Sequence, residues 1–419
     1  MRLPTAIINR LDQRKKAIVF FLLLSSLGLA VLLARNIDFR VYWYGATGFF
    51  SGTRPAYGPQ SGLGAPMDYV YPPATYLLLY PLKWFSLYIA GALWIAAAFA
   101  CLFFSVLVAI TKLPLTFRPR AIVICFVLIA PYLAVTARWG NVQPFVITFL
   151  FLAFLLAEDI PWLAGLLFAV AVTFKVTPLF FVPWFIKPCR RKALVFFCVS
   201  MLVLWILPVV VFGATPYANL LHDWYQVVHH IGSTPSEFHY FPGQTIRSVC
   251  LRLLSTAVPP VSPFPTVNVL SLQPVTAVII GEIISIVGYI AAVAWYMRAP
   301  ECAHPLWDGL AFVLYSLLEP FAVKVSLISL GPAALIGAGY FTSLSGKTRD
   351  SRCLWASRAY FAAVLLSAIA TCVQVRRYLR WLQAVGIDFW ISICLGAAFI
   401  LWVSALRRTR TPATVCAES

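Results

Sequence analysis

Charged side chains are scarce in this sequence. Asp, Glu, Lys and Arg make up 11% of the 419 residues, whereas a soluble domain carries about 25%. The chain has five histidines and no Cys-x-x-Cys pair among its ten cysteines, so it lacks the spacings typical of zinc sites. It also lacks the Gly-rich phosphate loops and the His-Glu-x-x-His pattern of common soluble enzymes. These absences argue against soluble enzymes of those classes and leave no sequence support for a metal or nucleotide site.

Apolar residues make up 61% of the chain and form long runs. A helix of about 20 apolar residues spans the roughly 30 Å hydrocarbon core of a bilayer. The longest nearly uncharged runs are Ala17–Ala34, Leu87–Ile110, Ala193–Val211, Val275–Met297 and Phe389–Leu406. We therefore predict an integral membrane protein.

The net charge of +18 comes from short Lys and Arg clusters at the ends of these runs. Such clusters mark cytoplasmic ends under the positive-inside rule, so the charge favours a membrane topology and argues against a nucleic-acid partner. The first run lacks a small-x-small cleavage site, which favours a retained span over a signal peptide. The clusters therefore give the predicted spans their direction.

Runs and clusters together predict an all-α, polytopic transmembrane helical bundle of about twelve spans. The predicted spans are residues 17–35, 87–111, 121–137, 142–157, 161–174, 176–186, 193–213, 275–297, 306–320, 325–341, 354–373 and 389–406. Residues 1–419 then form one integral membrane domain in the cell membrane, with both termini and a tail at 407–419 in the cytoplasm. Long extracytoplasmic loops are predicted at about 36–86 and 213–274, the second with a possible interfacial helix at Thr245–Leu254.

The segment 161–186 is irregular, because Lys175 and two prolines interrupt it. One span here would place the basic cluster Lys187–Lys192 outside, whereas two short segments that meet near Lys175 keep the charge rule. Interrupted helices at membrane depth are tolerated only inside protein or along a cavity. Lys175 is therefore a candidate site residue whose ammonium suits a lipid phosphate. The alternative is a lysine that extends to the outer interface.

Two acidic residues lie near the ends of the first predicted external loop. Asp38 follows the first span by three residues among aromatic neighbours, where desolvation would raise the pKa of its carboxyl toward that of a general base. The alternative is a solvated acid paired with Arg35 or Arg40. Asp68 comes shortly before Tyr71 and two prolines, and it is either a substrate contact or a simple loop acid.

The stretch from Arg138 to Pro144 predicts a tight outer turn between two spans. Gly140 permits the turn, since glycine tolerates backbone conformations that other residues avoid. The amides of Asn141 and Gln143 offer hydrogen bonds to hydroxyls or phosphate. The alternative is a plain helical hairpin.

Three further candidates lie later in the chain. Gln244 and Arg247 follow the histidines of the second external loop, and we expect them to face the same cavity. Lys324 lies among apolar residues, where Glu319 is near enough in sequence to neutralise it as a structural pair. The histidines of the second loop have no diagnostic metal spacing.

These pieces resemble the GT-C superfamily of membrane glycosyltransferases, and within it the polyprenol-phosphate-mannose-dependent mannosyltransferases of glycosyltransferase family 87. The matching pieces are Asp38 with Tyr42 after the first span, the run Tyr69-Val70-Tyr71-Pro72-Pro73, the turn Gly140-Asn141-Val142-Gln143, and the spacing from Gly165 through Lys175 to Pro178. The resemblance covers roughly residues 35–190. The stretch Glu319–Val325 departs from the family's Ser-Pro-x-x-Trp-x-His pattern, which leaves the donor sugar open.

The resemblance implies that a hexose, with mannose as the first candidate, passes from a polyprenyl-phosphate donor to a hydroxyl of a lipid or glycan acceptor on the extracytoplasmic face. It implies inversion at the anomeric carbon, with Asp38 as general base and with no cofactor or obligatory metal. Substrate contacts are expected from Tyr42, Asp68, Tyr71, Arg138, Asn141, Gln143, Lys175, Gln244, Arg247 and Lys324.

Two alternative functions are also compatible with the sequence. A polytopic transporter or lipid flippase would share the many spans and the lysines at membrane depth, although the sequence contains no internal repeat. A GT-C enzyme that uses another polyprenyl-phosphate sugar, such as arabinose, glucose or aminoarabinose, would share every feature named above.

Overall fold

A computed structural model describes residues 37–52, 56–57, 69–115, 117–233, 243–256, 265–299, 304–319, 324, 326–344, 350–372 and 376–409. The regular structure in these ranges is helical, which confirms the all-α class; one isolated bridge joins Ser255 and Leu272. The chain divides into two compact units, residues 1–112 with 132–237 and residues 113–131 with 238–419. A single membrane domain that includes both units stays a prediction.

The first unit begins with three elements that come before its long helices. They are α1 (Ile37–Phe50), α2 (Thr75–Leu79) and a 3-10 turn (Tyr80–Trp84). The remaining helices are α3 (Leu87–Lys112), α5 (Gln143–Leu156), α6 (Pro161–Phe174), α7 (Val182–Phe185), α8 (Arg191–Phe212) and α9 (Ala214–Ser233), while α4 (Pro119–Trp139) contributes residues to both units.

Aromatic packing holds α1 against the segment that follows it. The Tyr76 ring stacks on Phe49 at 4.4 Å and on Tyr69 at 4.5 Å between ring centroids. The Tyr76 hydroxyl donates a hydrogen bond to the Ala56 carbonyl at 2.6 Å, which satisfies the polar end of a buried ring. Thr75 adds a hydrogen bond of 2.8 Å from its hydroxyl to the Thr173 carbonyl. These contacts fix the helix that carries Asp38.

Besides part of α4, the second unit contains helices of differing length and polarity among the described residues. They are α10 (Ile246–Leu254), α11 (Pro274–Met297), α12 (Pro305–Leu318), α13 (Gly331–Leu344), α14 (Ser351–Cys372), α15 (Arg376–Ala384) and α16 (Ile387–Thr409), with a 3-10 turn at Ser326–Leu330. The Tyr360 ring of α14 lies 5.9 Å from the Trp402 ring of α16. The Tyr360 hydroxyl donates to the Ala334 carbonyl of α13 at 2.8 Å, so three helices share one buried tyrosine.

Prolines begin several of the apolar helices. Pro144, Pro161, Pro274 and Pro305 each lie in the first two positions of a helix. A proline is favourable there, because the first N–H groups of a helix have no partner within the helix. Prolines also occur inside α4 and α8, at Pro131 and Pro208, so a proline is favourable at the start of these helices but is not confined to that position.

Six of the described helices are long and apolar enough to cross a membrane, which supports the membrane-protein prediction. They are Leu87–Lys112, Pro119–Trp139, Arg191–Phe212, Pro274–Met297, Ser351–Cys372 and Ile387–Leu406. Helices 143–156, 161–174 and 305–318 are apolar but shorter. The count of about twelve spans stays a prediction, and the first predicted span, 17–35, lies outside the described residues, as does most of the tail 407–419.

The two predicted external loops differ from what the sequence suggested. Helix α1 lies in the first, and α9 and α10 lie in the second. Helices α9 and α10 mix apolar and polar residues, so a search for long apolar runs passes over them. The expected helix at Thr245–Leu254 is confirmed as α10, whose Ser248 N–H donates to the Thr245 hydroxyl at 3.2 Å as an N-cap.

Candidate active site

Helix α1 presents Asp38, in its first turn, and Tyr42, one turn later, on one face, since residues four apart lie above one another on a helix. Both side chains are buried, with 8% of Asp38 and 2% of Tyr42 exposed. The Tyr42 ring packs against Trp94 of α3, with the ring centroids 5.5 Å apart. A carboxylate is thereby held among aromatic rings, away from bulk water.

The predicted turn at Gly140 is present between α4 and α5. Gly140 has a φ of 67°, in the left-handed region that favours glycine. The Trp94 indole N–H donates to the Gly140 carbonyl at 2.9 Å, which fixes the turn against α3. The turn therefore has the conformation that the sequence predicted for it.

Asn141 in this turn holds the carboxylate of Asp38. Its Nδ2 donates to Asp38 Oδ2 at 2.6 Å, while its Oδ1 accepts the Gln143 N–H at 2.7 Å. Because the two ends of the amide bind different partners, its orientation is fixed. Among the described residues no further hydrogen bond reaches Asp38, so Oδ1 of the carboxylate is available to a ligand.

Burial raises the pKa of Asp38 to about 6, from an ordinary value of 3.8. Desolvation is the largest cause, because it penalises the charged form. The Asn141 hydrogen bond and the positive charge of Lys175 act in the opposite direction and limit the rise. A carboxyl with a pKa near 6 is ionised at neutral pH and still basic enough to take a proton during a reaction.

A hydroxyl pair lies beside the carboxylate. The Tyr42 and Tyr71 hydroxyl oxygens are 2.7 Å apart, and the Val142 N–H donates to Tyr42 at 3.2 Å. The Tyr57 hydroxyl donates to the Tyr71 carbonyl at 2.7 Å, which fixes the backbone of the half-buried Tyr71. The sequence candidates Tyr42 and Tyr71 are therefore brought into contact with each other and with the turn at Gly140.

The predicted interruption at Lys175 is confirmed. Helix α6 ends at Phe174, and Lys175 is extended, with φ −152° and ψ 126°, before the 3-10 turn Thr177–Phe181. Lys175 Nζ donates to Gln143 Oε1 at 3.4 Å. The other end of this fully buried amide, Nε2, has no hydrogen-bond partner among the described residues. The site therefore has an ammonium and an amide N–H side by side.

Other sequence candidates lie elsewhere. Arg138 is exposed in the last turn of α4, and Asp68 lies outside the described residues. Gln244 and Arg247 belong to the second unit, where Gln244 Nε2 donates to the Gln383 carbonyl at 3.0 Å and Arg247 forms an ion pair with Glu282 at 3.0 Å. Both contacts are with groups of the protein itself.

The pairing of Lys324 with Glu319 that we considered from the sequence was wrong. Its Nζ lies 3.9 Å from Asp388 Oδ1 of α16, and both side chains are buried. Helix α12 ends at Leu318, so Glu319 does not share a helix with Lys324. Asp388 follows Lys324 by 64 positions in the sequence, and no local pattern indicates such a distant pairing.

Sequence reasoning also missed Trp94. It lies within an apolar run, so its residue type alone indicates only a buried ring. The available signal was its indole N–H, because a buried Trp donor usually requires an acceptor. Among the described residues no group of three or more His, Cys, Asp or Glu side chains is arranged to hold a metal ion.

Comparison with known proteins finds a family match. Residues 69–320 match the model of glycosyltransferase family 87, a range that includes Tyr71, the turn at Gly140 and Lys175. Asp38 and Lys324 lie outside the matched range. No match was found among curated proteins or among solved structures.

Proposed function

The chain belongs to glycosyltransferase family 87, and we propose that it transfers a hexose from a polyprenyl-phosphate donor to an acceptor hydroxyl, with mannose as the first candidate sugar. The observation that carries this proposal is Asp38, a buried carboxylate whose Oδ2 is fixed by Asn141 at 2.6 Å and whose pKa burial raises to about 6. The membrane helices suit a donor that is itself a lipid.

In the proposed reaction, Asp38 acts as general base. The acceptor hydroxyl attacks the anomeric carbon of the sugar as Asp38 Oδ1 takes its proton. The bond between the anomeric carbon and the phosphate oxygen breaks, and polyprenyl phosphate leaves with the bonding electrons. Attack on the side opposite the leaving group inverts the anomeric centre.

The cation beside the site suits the leaving phosphate. Charge on the phosphate grows as the bond to the sugar breaks, and fixed donors aimed at growing charge lower the barrier. Lys175 carries a positive charge at the end of α6, and the Gln143 Nε2 next to it is a buried donor that lacks an acceptor among the described residues. We assign both residues to the donor phosphate, and Tyr42 and Tyr71 to the sugar.

The basic clusters support a direction for the reaction. They favour cytoplasmic termini, and from that topology we infer that Asp38 and the turn at Gly140 lie at the extracytoplasmic face of the cell membrane. A lipid or glycan on that face is the acceptor class. The proposal also includes Asp68, Arg138, Gln244, Arg247 and Lys324 as substrate contacts. Of these, Gln244, Arg247 and Lys324 also contact other protein groups, Gln383, Glu282 and Asp388.

A donor screen tests the proposed function. Purified protein in proteoliposomes receives polyprenyl phosphates that carry radiolabelled mannose, glucose or arabinose, together with a membrane lipid extract. We expect label in a new glycosidic product from one donor, and no product from the Asp38→Asn variant. If the labelled donor crosses the bilayer and no product forms, the result would favour a lipid flippase and contradict the proposal.

A second variant tests the phosphate role. We expect Lys175→Met to raise the KM for the donor about ten-fold or more, since a hydrogen bond to a charged group contributes about 1.5–3 kcal/mol. Lys175→Arg keeps the charge and should retain most of the affinity. Lys192→Met, which removes an exposed lysine in the first turn of α8, is the matched control. An unchanged donor KM in Lys175→Met would remove Lys175 from the site.

A further inference from the structure

A second concave site lies on the other side of α1 from Asp38. The groove has a volume of about 500 Å³, and Trp43 and Thr47 line it together with Lys83 and Trp84 of the 3-10 turn. Thr47 follows Asp38 by nine residues, which is two and a half turns at about 3.6 residues per turn, so it faces away from the carboxylate. The proposed catalytic chemistry does not use this groove.

The groove carries a fixed positive charge. Lys83 Nζ lies 4.1 Å from the centre of the Tyr80 ring and 5.6 Å from the centre of the Phe50 ring, within the range of cation–π attraction. Lys83 is exposed, and among the described residues no carboxylate lies within ion-pair distance of it. The aromatic faces therefore hold the ammonium at the groove without neutralising it.

The other polar groups of the groove select against two kinds of ligand. The Thr47 and Ser51 hydroxyls donate to the carbonyls of Trp43 and Gly48, at 2.7 and 3.1 Å, and the Trp43 indole N–H donates to the Phe85 carbonyl at 3.0 Å. These O–H and N–H groups already donate to protein carbonyls, so few donors remain for the hydroxyls of a neutral sugar. Lys83 repels the quaternary ammonium groups that aromatic cages bind. The groove therefore suits a ligand in which an anionic group is joined to an apolar portion.

The groove also adjoins a candidate membrane span. The 3-10 turn Tyr80–Trp84 ends three residues before α3 begins, and the exposed side chains here include Trp84, Tyr88 and Ile89. Trp and Tyr are enriched where a membrane helix meets the headgroup layer, and an ammonium there is complementary in charge to an anionic headgroup. At that level an anion joined to an apolar portion is supplied by a lipid.

We propose that this groove binds the phosphate of an anionic phospholipid. Lys83 neutralises the phosphate, the rings of Trp43 and Trp84 enclose the glycerol region, and an acyl chain follows the exposed Ile89 and Leu93 of α3. This inference goes beyond the proposed function and needs no sugar transfer, so binding can be measured without turnover.

Native mass spectrometry of the detergent-purified chain tests the proposal. Phosphatidylglycerol and phosphatidylcholine with matched acyl chains are titrated separately against wild type and Lys83→Gln, Lys83→Arg and Lys192→Gln variants. We expect wild type to prefer phosphatidylglycerol, and Lys83→Gln to lose about five-fold in that affinity, the effect of one lysine near an anionic surface. Binding of phosphatidylcholine should not change.

The other variants separate charge from damage to the fold. Lys83→Arg should retain the preference for phosphatidylglycerol, and Lys192→Gln should behave as wild type. Equal losses in Lys83→Gln and Lys192→Gln would overturn the proposal, as would equal binding of the two lipids by wild type. Soluble glycerol phosphate is the final competitor. If it displaces phosphatidylglycerol at equal concentration, the groove binds free phosphate and the lipid assignment is wrong.

Discussion

Asp38 and Asp388 are both buried carboxylates in the first turn of a helix, but their neighbours differ in charge. The neutral amide of Asn141 holds Asp38 at 2.6 Å, whereas the ammonium of Lys324 lies 3.9 Å from Asp388. A neutral neighbour leaves much of the desolvation cost in place, and burial raises the pKa of Asp38 to about 6. Both acids are the second residue of their helix, so we infer that the charge of the neighbour distinguishes the proposed base from the acid of a structural ion pair.

The two carboxylates also share a backbone device. Gly140, with φ 67°, comes directly before Asn141, and Gly386, with φ 81°, comes two residues before Asp388. Each glycine occupies the left-handed region and directs the chain at the carboxylate or at its partner. In both places, a turn at a left-handed glycine therefore positions the carboxylate or its partner.

The largest expected effect is on activity, from Asp38→Asn. General-base catalysis contributes about 100- to 10,000-fold, so we expect sugar transfer to fall by that factor. We do not expect the substitution to lower the stability of the fold. The pKa of Asp38 rises from 3.8 to about 6 on folding, so stability falls as the pH rises from about 3.8 to about 6, and asparagine avoids this loss, which remains in full at higher pH. A thermal melt at pH 8 should therefore show the variant at least as stable as wild type.

Asp388→Asn should behave in the opposite way. It leaves Lys324 buried without its counter-charge, which costs about 3–5 kcal/mol of unfolding free energy for a broken buried pair. Thermal unfolding followed by helical circular dichroism in detergent measures the loss. The double variant Lys324→Met/Asp388→Leu removes both charges and should recover most of the stability. A double variant as unstable as Asp388→Asn would show that pairing is not the cause.

Alanine at the two glycines gives a smaller effect. A non-glycine residue in the left-handed region costs roughly 1–2 kcal/mol. Gly386→Ala should also force a close contact, because its added Cβ would lie 3.0 Å from Val249 Cγ2. Gly140→Ala should also lower sugar transfer, since it disturbs Asn141, and melts and transfer assays on the pair separate the two effects. Equal loss of transfer in both variants would contradict a local role for the turn at Gly140.

Local patterns were enough to predict several parts of the site. Apolar runs indicate the long helices, Gly140 indicates the turn, and Lys175 between two apolar segments indicates the interruption. Each signal lies within a few residues of the feature that it predicts. The contact between Asp38 and Asn141 joins positions 103 apart, and only the family resemblance placed them in one site.

The remaining features depend on tertiary packing. Helix α1 was predicted as loop, because its 14 residues mix charged, aromatic and small side chains and fall short of a membrane span. The pairing of Lys324 with Asp388 and the contact of Trp94 with Gly140 join distant parts of the sequence. Residue types indicate that such groups need partners, but they do not indicate which partner the fold supplies.

The pH dependence of sugar transfer tests the role of Asp38 most directly. Single-turnover rates for wild type should rise with one deprotonation near pH 6 and then level off, because the base must be ionised. Asn141→Leu removes a hydrogen bond that favours the ionised form, so the inflection should move to higher pH. A rate that stays flat from pH 5 to 8, or an inflection that Asn141→Leu leaves in place, would contradict Asp38 as the general base.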